Sequence, residues 1–185
     1  MDHGRDTVRL FVALQPPDEV LEELAEATAA LRRAHPALRW TRPEQWHLTL
    51  AFLGEVGEDR LPALRERLER VAGRHAPLTL SLTGGDRFGR EVLWAGVAGD
   101  LLGLERLAGS VSEAARGAEI RVDDRPYRPH LTLARTRRPT DLRRLAKACA
   151  AFRGTPWAAR ELLLVRSHLG RRPRYDTVAS WPLAG

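Results

Sequence analysis

The tetrapeptide His-Leu-Thr-Leu occurs twice in this chain, at residues 47–50 and again at residues 130–133. Because side chains alternate along a β-strand, each copy would present its His and Thr on one face and its two leucines on the other. The leucine face suits a hydrophobic core, which leaves the His and Thr face for a surface or a cleft. The repeat therefore predicts two similar strands in two similar lobes.

The segments around both copies show the periodicities of strands and helices. Apolar alternation and short apolar runs predict strands over residues 9–15, 47–54, 78–82, 91–97, 130–133, 161–169 and 175–181. Apolar stripes at helical spacing predict helices over residues 20–31, 61–71, 101–111 and 142–152. We interpret Asp59 and Thr140 as helix N-caps, and Gly84-Gly85-Asp86 as the turn of a hairpin.

The order strand, helix, strand, helix, hairpin occurs once around each copy of the tetrapeptide. No Gly-rich, Ser-rich or Pro-rich linker separates the two halves. We therefore expect an α+β, bilobal fold with two pseudo-symmetric lobes, each with a mostly antiparallel β-sheet and flanking helices. At 185 residues and 43% hydrophobic content the chain has the size of one domain, and we assign residues 1–185 to it.

The composition also bounds the setting in which the protein works. The N-terminus mixes charged residues with only a short apolar run, Val8 to Leu14, so we expect a cytoplasmic protein without a signal peptide or membrane span. The one cysteine, Cys149, allows no internal disulfide, and its helical spacing from Leu145 predicts a buried apolar residue. No heptad pattern in the sequence calls for more than a monomer.

The formal net charge of +6 is unevenly distributed along the chain. Between Arg116 and Arg144, nine arginines stand against four carboxylates, a net charge of +5 around the second tetrapeptide. Such a zone attracts polyanions, and the planar guanidinium suits phosphate. The alternative is a solvated surface in a chain that uses arginine almost everywhere, since Lys147 is its one lysine.

Two His and Thr pairs from opposing lobes suit in-line displacement at phosphorus. The reaction needs a base where water enters and an acid on the opposite side, where the alkoxide leaves. Imidazole titrates near 6.5, so one ring can be neutral and the other protonated at neutral pH, which predicts a bell-shaped rate profile. The threonine hydroxyls can donate to the non-bridging oxygens, and the chemistry requires no metal.

Two other interpretations of the tetrapeptides compete with this one. Each copy can be an amphipathic strand whose threonine is there for β-propensity. Alternatively the histidines can bind zinc, but each strand supplies one ligand and no cysteine or carboxylate stands at fixed spacing to complete a tetrahedral site. The double occurrence, with leucines on the partner face each time, favours the catalytic interpretation.

The chain resembles the 2H phosphoesterase superfamily, which is named for two H-x-[ST]-x motifs. More closely, it resembles the RNA 2′,3′-cyclic phosphodiesterases, historically called 2′-5′ RNA ligases. The segments that carry the resemblance span nearly the whole chain: Arg9-Leu-Phe-Val-Ala-Leu14, Trp46-His-Leu-Thr-Leu-Ala-Phe-Leu-Gly54, Val92-Leu-Trp-Ala-Gly96, Arg128-Pro-His-Leu-Thr-Leu-Ala-Arg135, Val165-Arg-Ser167, Tyr175 and Trp181-Pro-Leu183. The resemblance implies a bilobal fold with a central cleft, and hydrolysis of RNA or nucleotide 2′,3′-cyclic phosphates to 2′-phosphomonoesters without a cofactor.

The resemblance also assigns roles to the repeated residues. It implies that His47 and His130 form the acid/base pair, and that Thr49 and Thr132 contact the phosphate. It suggests His47 as the acid at the departing 3′-oxygen and His130 as the base on water, although the pseudo-symmetry allows either order.

Position +5 after each histidine differs between the two halves, with Phe52 in the first and Arg135 in the second. This difference suits one half that stacks a base and another that holds phosphate. Strict alternation would turn position +5 away from the site, so the prediction requires a β-bulge or the end of the strand. Core packing is the alternative for Phe52.

Several other residues are candidates for the site. Arg87 and Arg90 could reach the mouth of the cleft or simply decorate a polar hairpin tip, and Tyr127 is expected nearby. The remaining histidines lack the repeated context and are interpreted as surface or structural residues: His3, His35, His75 and His168.

Two other functions stay open at this point. ATP-independent joining of RNA ends through a 2′-5′ linkage is the same chemistry in reverse, with a ribose hydroxyl in place of water. A non-catalytic RNA-binding protein would use the basic zone and exposed aromatic residues, and its binding would fall steeply as salt rises. The sequence does not identify the natural substrate among tRNA fragments, oligonucleotides and small cyclic nucleotides.

Overall fold

The computed structural model describes residues 6–185, which contain nine β-strands and four α-helices. The strands are β1 (Thr7–Leu14), β2 (Arg39–Trp40), β3 (Leu48–Gly57), β4 (Leu78–Phe88), β5 (Val92–Gly99), β6 (Leu131–Arg135), β7 (Trp157–Ala159), β8 (Glu161–His168) and β9 (Arg174–Pro182). The helices are α1 (Asp18–Ala34), α2 (Leu61–Gly73), α3 (Leu101–Gly117) and α4 (Arg143–Cys149). None of these helices is both long enough and apolar enough to cross a membrane.

Within residues 6–185 the strands form two sheets in which neighbouring strands are antiparallel, which confirms the predicted α+β class. One sheet has the order β3-β1-β8-β9 and the other β2-β6-β5-β4-β7. The strand of each tetrapeptide pairs with an inner strand of its sheet, β3 with β1 and β6 with β5. We name these sheets the first and the second, after the tetrapeptide that each contains.

The two lobes do not coincide with the two halves of the chain. A strand-helix-strand-helix unit runs from β1 to α2 and again from β5 to α4, as the sequence predicts. The strand that follows the first unit, β4, joins the second sheet, while β8 and β9 from the end of the chain complete the first sheet. The halves therefore exchange strands, which binds the lobes together through hydrogen bonds.

Helices cover the face of each sheet that its leucines occupy. Helices α2 and α3 contact each other, and they also contact β9 and β3 of the first sheet. Helices α1 and α4 lie against the second sheet and enclose with it a largely apolar cavity of about 150 Å³. The tetrapeptide leucines Leu48, Leu50, Leu131 and Leu133 are at most 4% exposed, and Cys149 is buried as predicted.

The predicted turn at Gly84-Gly85-Asp86 is wrong. These residues lie inside β4, where a register shift interrupts the pairing with β5, and the chain reverses at Gly89, whose φ is +55°. Gly84 and Gly85 are needed for close approach rather than for turning. A Cβ on Gly84 would overlap the carbonyl group of Ala150, and one on Gly85 would overlap that of Trp94.

Both predicted helix caps are also wrong. Asp59 lies within a short 3₁₀ turn, Glu58–Arg60, that leads directly into α2, so the position before the helix is Arg60. Helix α4 begins only at Arg143, and the Thr140 hydroxyl donates to the carbonyl of Arg138 instead of capping the helix. Cap residues also favour turns, because their side chains bond to nearby backbone in either setting.

Candidate active site

One cleft brings together the two tetrapeptides and the residues at position +5. It has a volume of about 140 Å³, and its lining includes all six predicted site residues: His47, Thr49, Phe52, His130, Thr132 and Arg135. The leucines of both strands are buried in the core. The alternation of side chains along β3 and β6 therefore places the polar face of each strand against the same space.

A β-bulge turns position +5 into the cleft in both strands. The register of β3 against β1 passes from Ala51 to Thr49 between consecutive β1 residues and so skips Leu50. The register of β6 against β5 passes from Ala134 to Thr132 and skips Leu133 in the same way. Each bulge inverts the alternation beyond it, so Phe52 and Arg135 share a face with the histidines.

The first histidine, His47, is held by a backbone contact and two aromatic rings. Its Nδ1 lies 3.3 Å from the carbonyl oxygen of Gln45. A carbonyl oxygen can only accept, so Nδ1 carries the hydrogen and Nε2 is left for the reaction. Phe11 and Tyr175 make edge contacts with the ring, at centroid distances of 5.6 and 5.7 Å. Burial lowers the pKa of His47, and the bond to the Gln45 carbonyl opposes this effect.

The second histidine, His130, is held in the same manner. Its Nδ1 lies 2.7 Å from the carbonyl oxygen of Arg128, again two residues earlier in the chain. Phe88 and Trp94 contact the ring at centroid distances of 4.9 and 6.2 Å. Burial lowers the pKa of His130, the carbonyl bond opposes this, and the positive charge of Arg135 lowers it further.

Tyr127 connects the two motifs directly. It precedes His130 by three residues, and its hydroxyl donates a hydrogen bond of 3.1 Å to the carbonyl oxygen of Thr49. Burial raises the pKa of the Tyr127 phenol, so the group stays protonated and continues to donate. The segment that carries the second histidine is thus fastened to the strand that carries the first.

Several residues at the cleft were not predicted from the sequence. The aromatic residues Phe11, Phe88 and Trp94 contact the histidines because distant segments fold back, whereas Gln45 contacts His47 from two residues earlier in the chain. The one sequence signal for Gln45 is its place two residues before His47, which matches Arg128 before His130. Two-residue spacing by itself does not reveal a carbonyl contact.

Arg87 and Arg90 do not line the cleft. The guanidinium of Arg87 donates to the carbonyl of Gly89, and the carbonyl of Arg90 accepts from Thr136 and Thr140. Both arginines therefore contribute hydrogen bonds at the tip of the β4–β5 hairpin.

The remaining histidines that the structure describes also lie away from the cleft lining. His35 is exposed, His75 contacts the hydroxyl of Ser110, and His168 pairs with Asp176. His3 lies outside the described residues.

Three of the nine arginines in the basic zone are paired with carboxylates of the same zone. The ion pairs are exposed to solvent: Arg116 with Asp124, Arg125 with Asp123, and Arg143 with Asp141. Exposed pairs of this kind contribute little to stability, and the net charge of +5 for the zone already counts their carboxylates. Arg135 is the member of the zone whose side chain lines the cleft.

Two antiparallel sheets with paired H-x-T strands around one cleft define a 2H phosphoesterase. The sequence model of the 2′-5′ RNA ligase superfamily matches residues 16–171 of the chain. The chain belongs to this superfamily.

Known relatives agree with this membership. An RNA 2′,3′-cyclic phosphodiesterase of Thermus thermophilus is 33% identical, with 96% of this chain and 91% of that protein covered. One of Geobacillus stearothermophilus is 31% identical over 95% of this chain, which spans 57% of that longer protein. The crystal structure of Escherichia coli LigT complexed with 3′-AMP superposes with a TM-score of 0.79 at 29% identity, covering 97% of this chain and 100% of that one.

Proposed function

We propose that this protein hydrolyses the 2′,3′-cyclic phosphate at the end of an RNA or nucleotide to a 2′-phosphomonoester, using two histidines and no metal. The observation that carries the proposal is the single cleft lined by His47, Thr49, His130 and Thr132. The names of the relatives, RNA 2′,3′-cyclic phosphodiesterases, supply the substrate class. We further propose that residues 1–185 act as one bilobal domain, in keeping with the core cluster that both sheets share.

The reaction is an in-line displacement in which the two histidines serve opposite sides of phosphorus. One neutral imidazole takes a proton from water at Nε2 while the water oxygen forms a bond to phosphorus. The bond from phosphorus to the 3′-oxygen breaks, and the protonated imidazole gives its proton to that oxygen. The protons then exchange with solvent, which restores the starting states of both rings.

We assign the base to His130 and the acid to His47. Arg135 disfavours a second positive charge on His130, whereas no such charge acts on His47. The shorter carbonyl bond at His130, 2.7 Å against 3.3 Å, acts in the opposite direction. Of these two effects on the pKa of His130 the carbonyl bond is the larger, so the assignment follows the order that the resemblance to the family suggests.

The other cleft residues bind the substrate on either side of the reacting atoms. The hydroxyls of Thr49 and Thr132 donate to the non-bridging oxygens, where negative charge develops. Arg135 adds a guanidinium suited to phosphate. Phe52, which is 63% exposed despite being a large apolar residue, offers its ring to the terminal base.

The assay for this proposal is identification of the product formed from a 2′,3′-cyclic mononucleotide in excess chelator. Among the described residues, no group of three or more His, Cys, Asp or Glu side chains is placed to hold a metal ion, so we expect full activity with chelator. A 2′-phosphomonoester supports the proposal. A 3′-phosphomonoester, or activity that the chelator abolishes, contradicts it.

The same assay, with an RNA 5′-hydroxyl end added, tests the reverse reaction. Joined product in excess over monoester would favour 2′-5′ ligation, which the superfamily name describes. Binding of RNA without turnover would favour a non-catalytic RNA-binding protein.

A further inference from the structure

The connection between β8 and β9 is a strongly basic hairpin tip. Its sequence is Leu169-Gly-Arg-Arg-Pro173, followed by Arg174 at the start of β9. The side chains of Arg171, Arg172 and Arg174 are exposed, and Leu169 is 70% exposed. The tip therefore presents three guanidinium groups and one apolar side chain to solvent.

The end of the hairpin tip contacts a residue that lines the cleft. In the first sheet β8 pairs with β1 so that Leu10 lies opposite Arg166, which directs the tip toward the Thr7 end of β1. The histidine of this sheet lies at the other end, where Leu14 pairs with Leu48. A flat sheet would thus keep the tip away from His47.

Two contacts show that the hairpin curls back instead. The side-chain amide of Gln45 donates to the carbonyl of Pro173 at 2.7 Å, and the Tyr175 ring contacts His47. Gln45 is also the residue whose carbonyl accepts from His47 Nδ1. Arg172 is therefore next in the chain to Pro173, which contacts Gln45, a residue that lines the cleft and supports a proposed catalytic group.

The charges on the tip are only partly neutralised. Arg174 lies 3.4 Å from Asp176, which also pairs with His168. Within residues 6–185, Arg171 and Arg172 form no ion pair with a carboxylate. These two guanidinium groups thus remain available to an anion that approaches the cleft from outside.

We propose that Arg171 and Arg172 bind the phosphodiester backbone of an RNA strand on the 5′ side of its terminal cyclic phosphate. The inference rests on the proposed function and names its substrate class, the end of an oligoribonucleotide rather than a free cyclic mononucleotide. A cleft of about 140 Å³ holds the terminal cyclic phosphate ring and leaves the preceding phosphates of the strand outside. The strand then passes the hairpin tip, where arginine provides sequence-independent contacts.

The test compares kcat/KM for two substrates with the same terminal nucleotide, a 2′,3′-cyclic mononucleotide and a ten-nucleotide RNA that ends in it. Each is assayed with wild type, with Arg171→Gln/Arg172→Gln, and with Arg106→Gln/Arg144→Gln. The last variant removes the same charge from exposed positions on α3 and α4, the helices that cover the outer faces of the sheets. Thermal unfolding checks that all three proteins fold equally well.

We expect the hairpin variant to lower kcat/KM for the oligonucleotide about tenfold more than for the mononucleotide, since two phosphate contacts on a single strand each carry a counterion-release slope near 0.7. The salt dependence of the oligonucleotide reaction should also become shallower by about 1.4 in slope of log kcat/KM against log salt. The control variant should change neither the ratio nor the slope by as much.

Equal losses on both substrates, or a control variant that matches the hairpin variant, would overturn the inference and leave the proposed function intact. Failure of the wild type to hydrolyse either substrate would instead overturn the proposed function, before the arginines are compared.

Discussion

Tyr127→Phe removes one hydroxyl from the contact that fastens the two motifs together. The substitution keeps the ring and deletes the 3.1 Å hydrogen bond to the Thr49 carbonyl. A neutral hydrogen bond contributes about 1 kcal/mol, and the partly buried Thr49 carbonyl adds part of its desolvation cost when it loses this donor. We therefore expect a loss of about 1–2 kcal/mol in the free energy of unfolding.

The same substitution should slow the reaction. The bond sets the position of the His130 segment relative to β3, and misplacement of a catalytic group by about 1 Å can cost 10²-fold in rate. Because the rings and the backbone pairing of β6 remain, we expect a smaller loss of about tenfold, mainly in kcat. A loss confined to KM would indicate that Tyr127 contributes to binding rather than to positioning.

Urea denaturation measures the first effect and steady-state hydrolysis of a cyclic mononucleotide the second. The stability control is Tyr175→Phe, which removes a hydroxyl that makes no hydrogen bond within the described chain and keeps the ring contacts with Phe11 and His47. It should change the free energy of unfolding by less than about 0.5 kcal/mol. A Tyr127→Phe protein with wild-type stability and wild-type kcat would refute the inter-motif role.

Three further predictions concern the two histidines, Arg135, and the glycines Gly85 and Gly109. Because burial lowers the pKa of both His47 and His130, the optimum of kcat/KM should lie at or below about pH 6.5, and that of kcat should lie higher, since a bound phosphate anion favours imidazolium. A group with a lowered folded-state pKa also weakens the fold as it protonates, so stability should rise with pH through this range and level off above about 6.5. Arg135→Ala should lower kcat/KM about 10–100-fold, the value of a charge-assisted hydrogen bond, and should move the acidic limb to higher pH by relieving His130. An acidic limb that stays at the wild-type pH would show that the charge of Arg135 does not affect the pKa of His130. Gly85→Ala should destabilise by more than about 3 kcal/mol in urea denaturation because its Cβ would overlap backbone, whereas Gly109→Ala, with open space around it, should stabilise its helix by up to about 1 kcal/mol.

The elements and the candidate site were largely predictable because they depend on local patterns. Alternation in the two tetrapeptides identifies which side chains share a face, and it holds in both strands up to the bulge. The bulge itself was required by the assumption that Phe52 and Arg135 reach the site. Its location at Leu50 and Leu133 depends on pairing with β1 and β5, which a single strand does not encode.

The features that escaped prediction depend on contacts between distant segments. A period of two predicts that β4 and β8 are strands but not which sheet each joins, so the exchange of strands between the lobes was not visible. The Gly84-Gly85 pair resembles a turn, and its actual cause is the close approach of Trp94 and Ala150. The curl of the β8–β9 hairpin toward Gln45 likewise depends on sheet twist, which no local pattern specifies.

The central claim is that His47 and His130 act on one phosphorus atom as a unit, and kcat/KM of His47→Ala, His130→Ala and the double variant tests it most directly. We expect each single variant to lose about 10²–10⁴-fold, and the double variant to lose far less than the product of the two losses, because a two-group relay fails when either member is missing. The variants should keep the wild-type unfolding temperature within a few degrees. Retention of activity within tenfold by either single variant, or fully multiplicative losses in the double variant, would contradict the account.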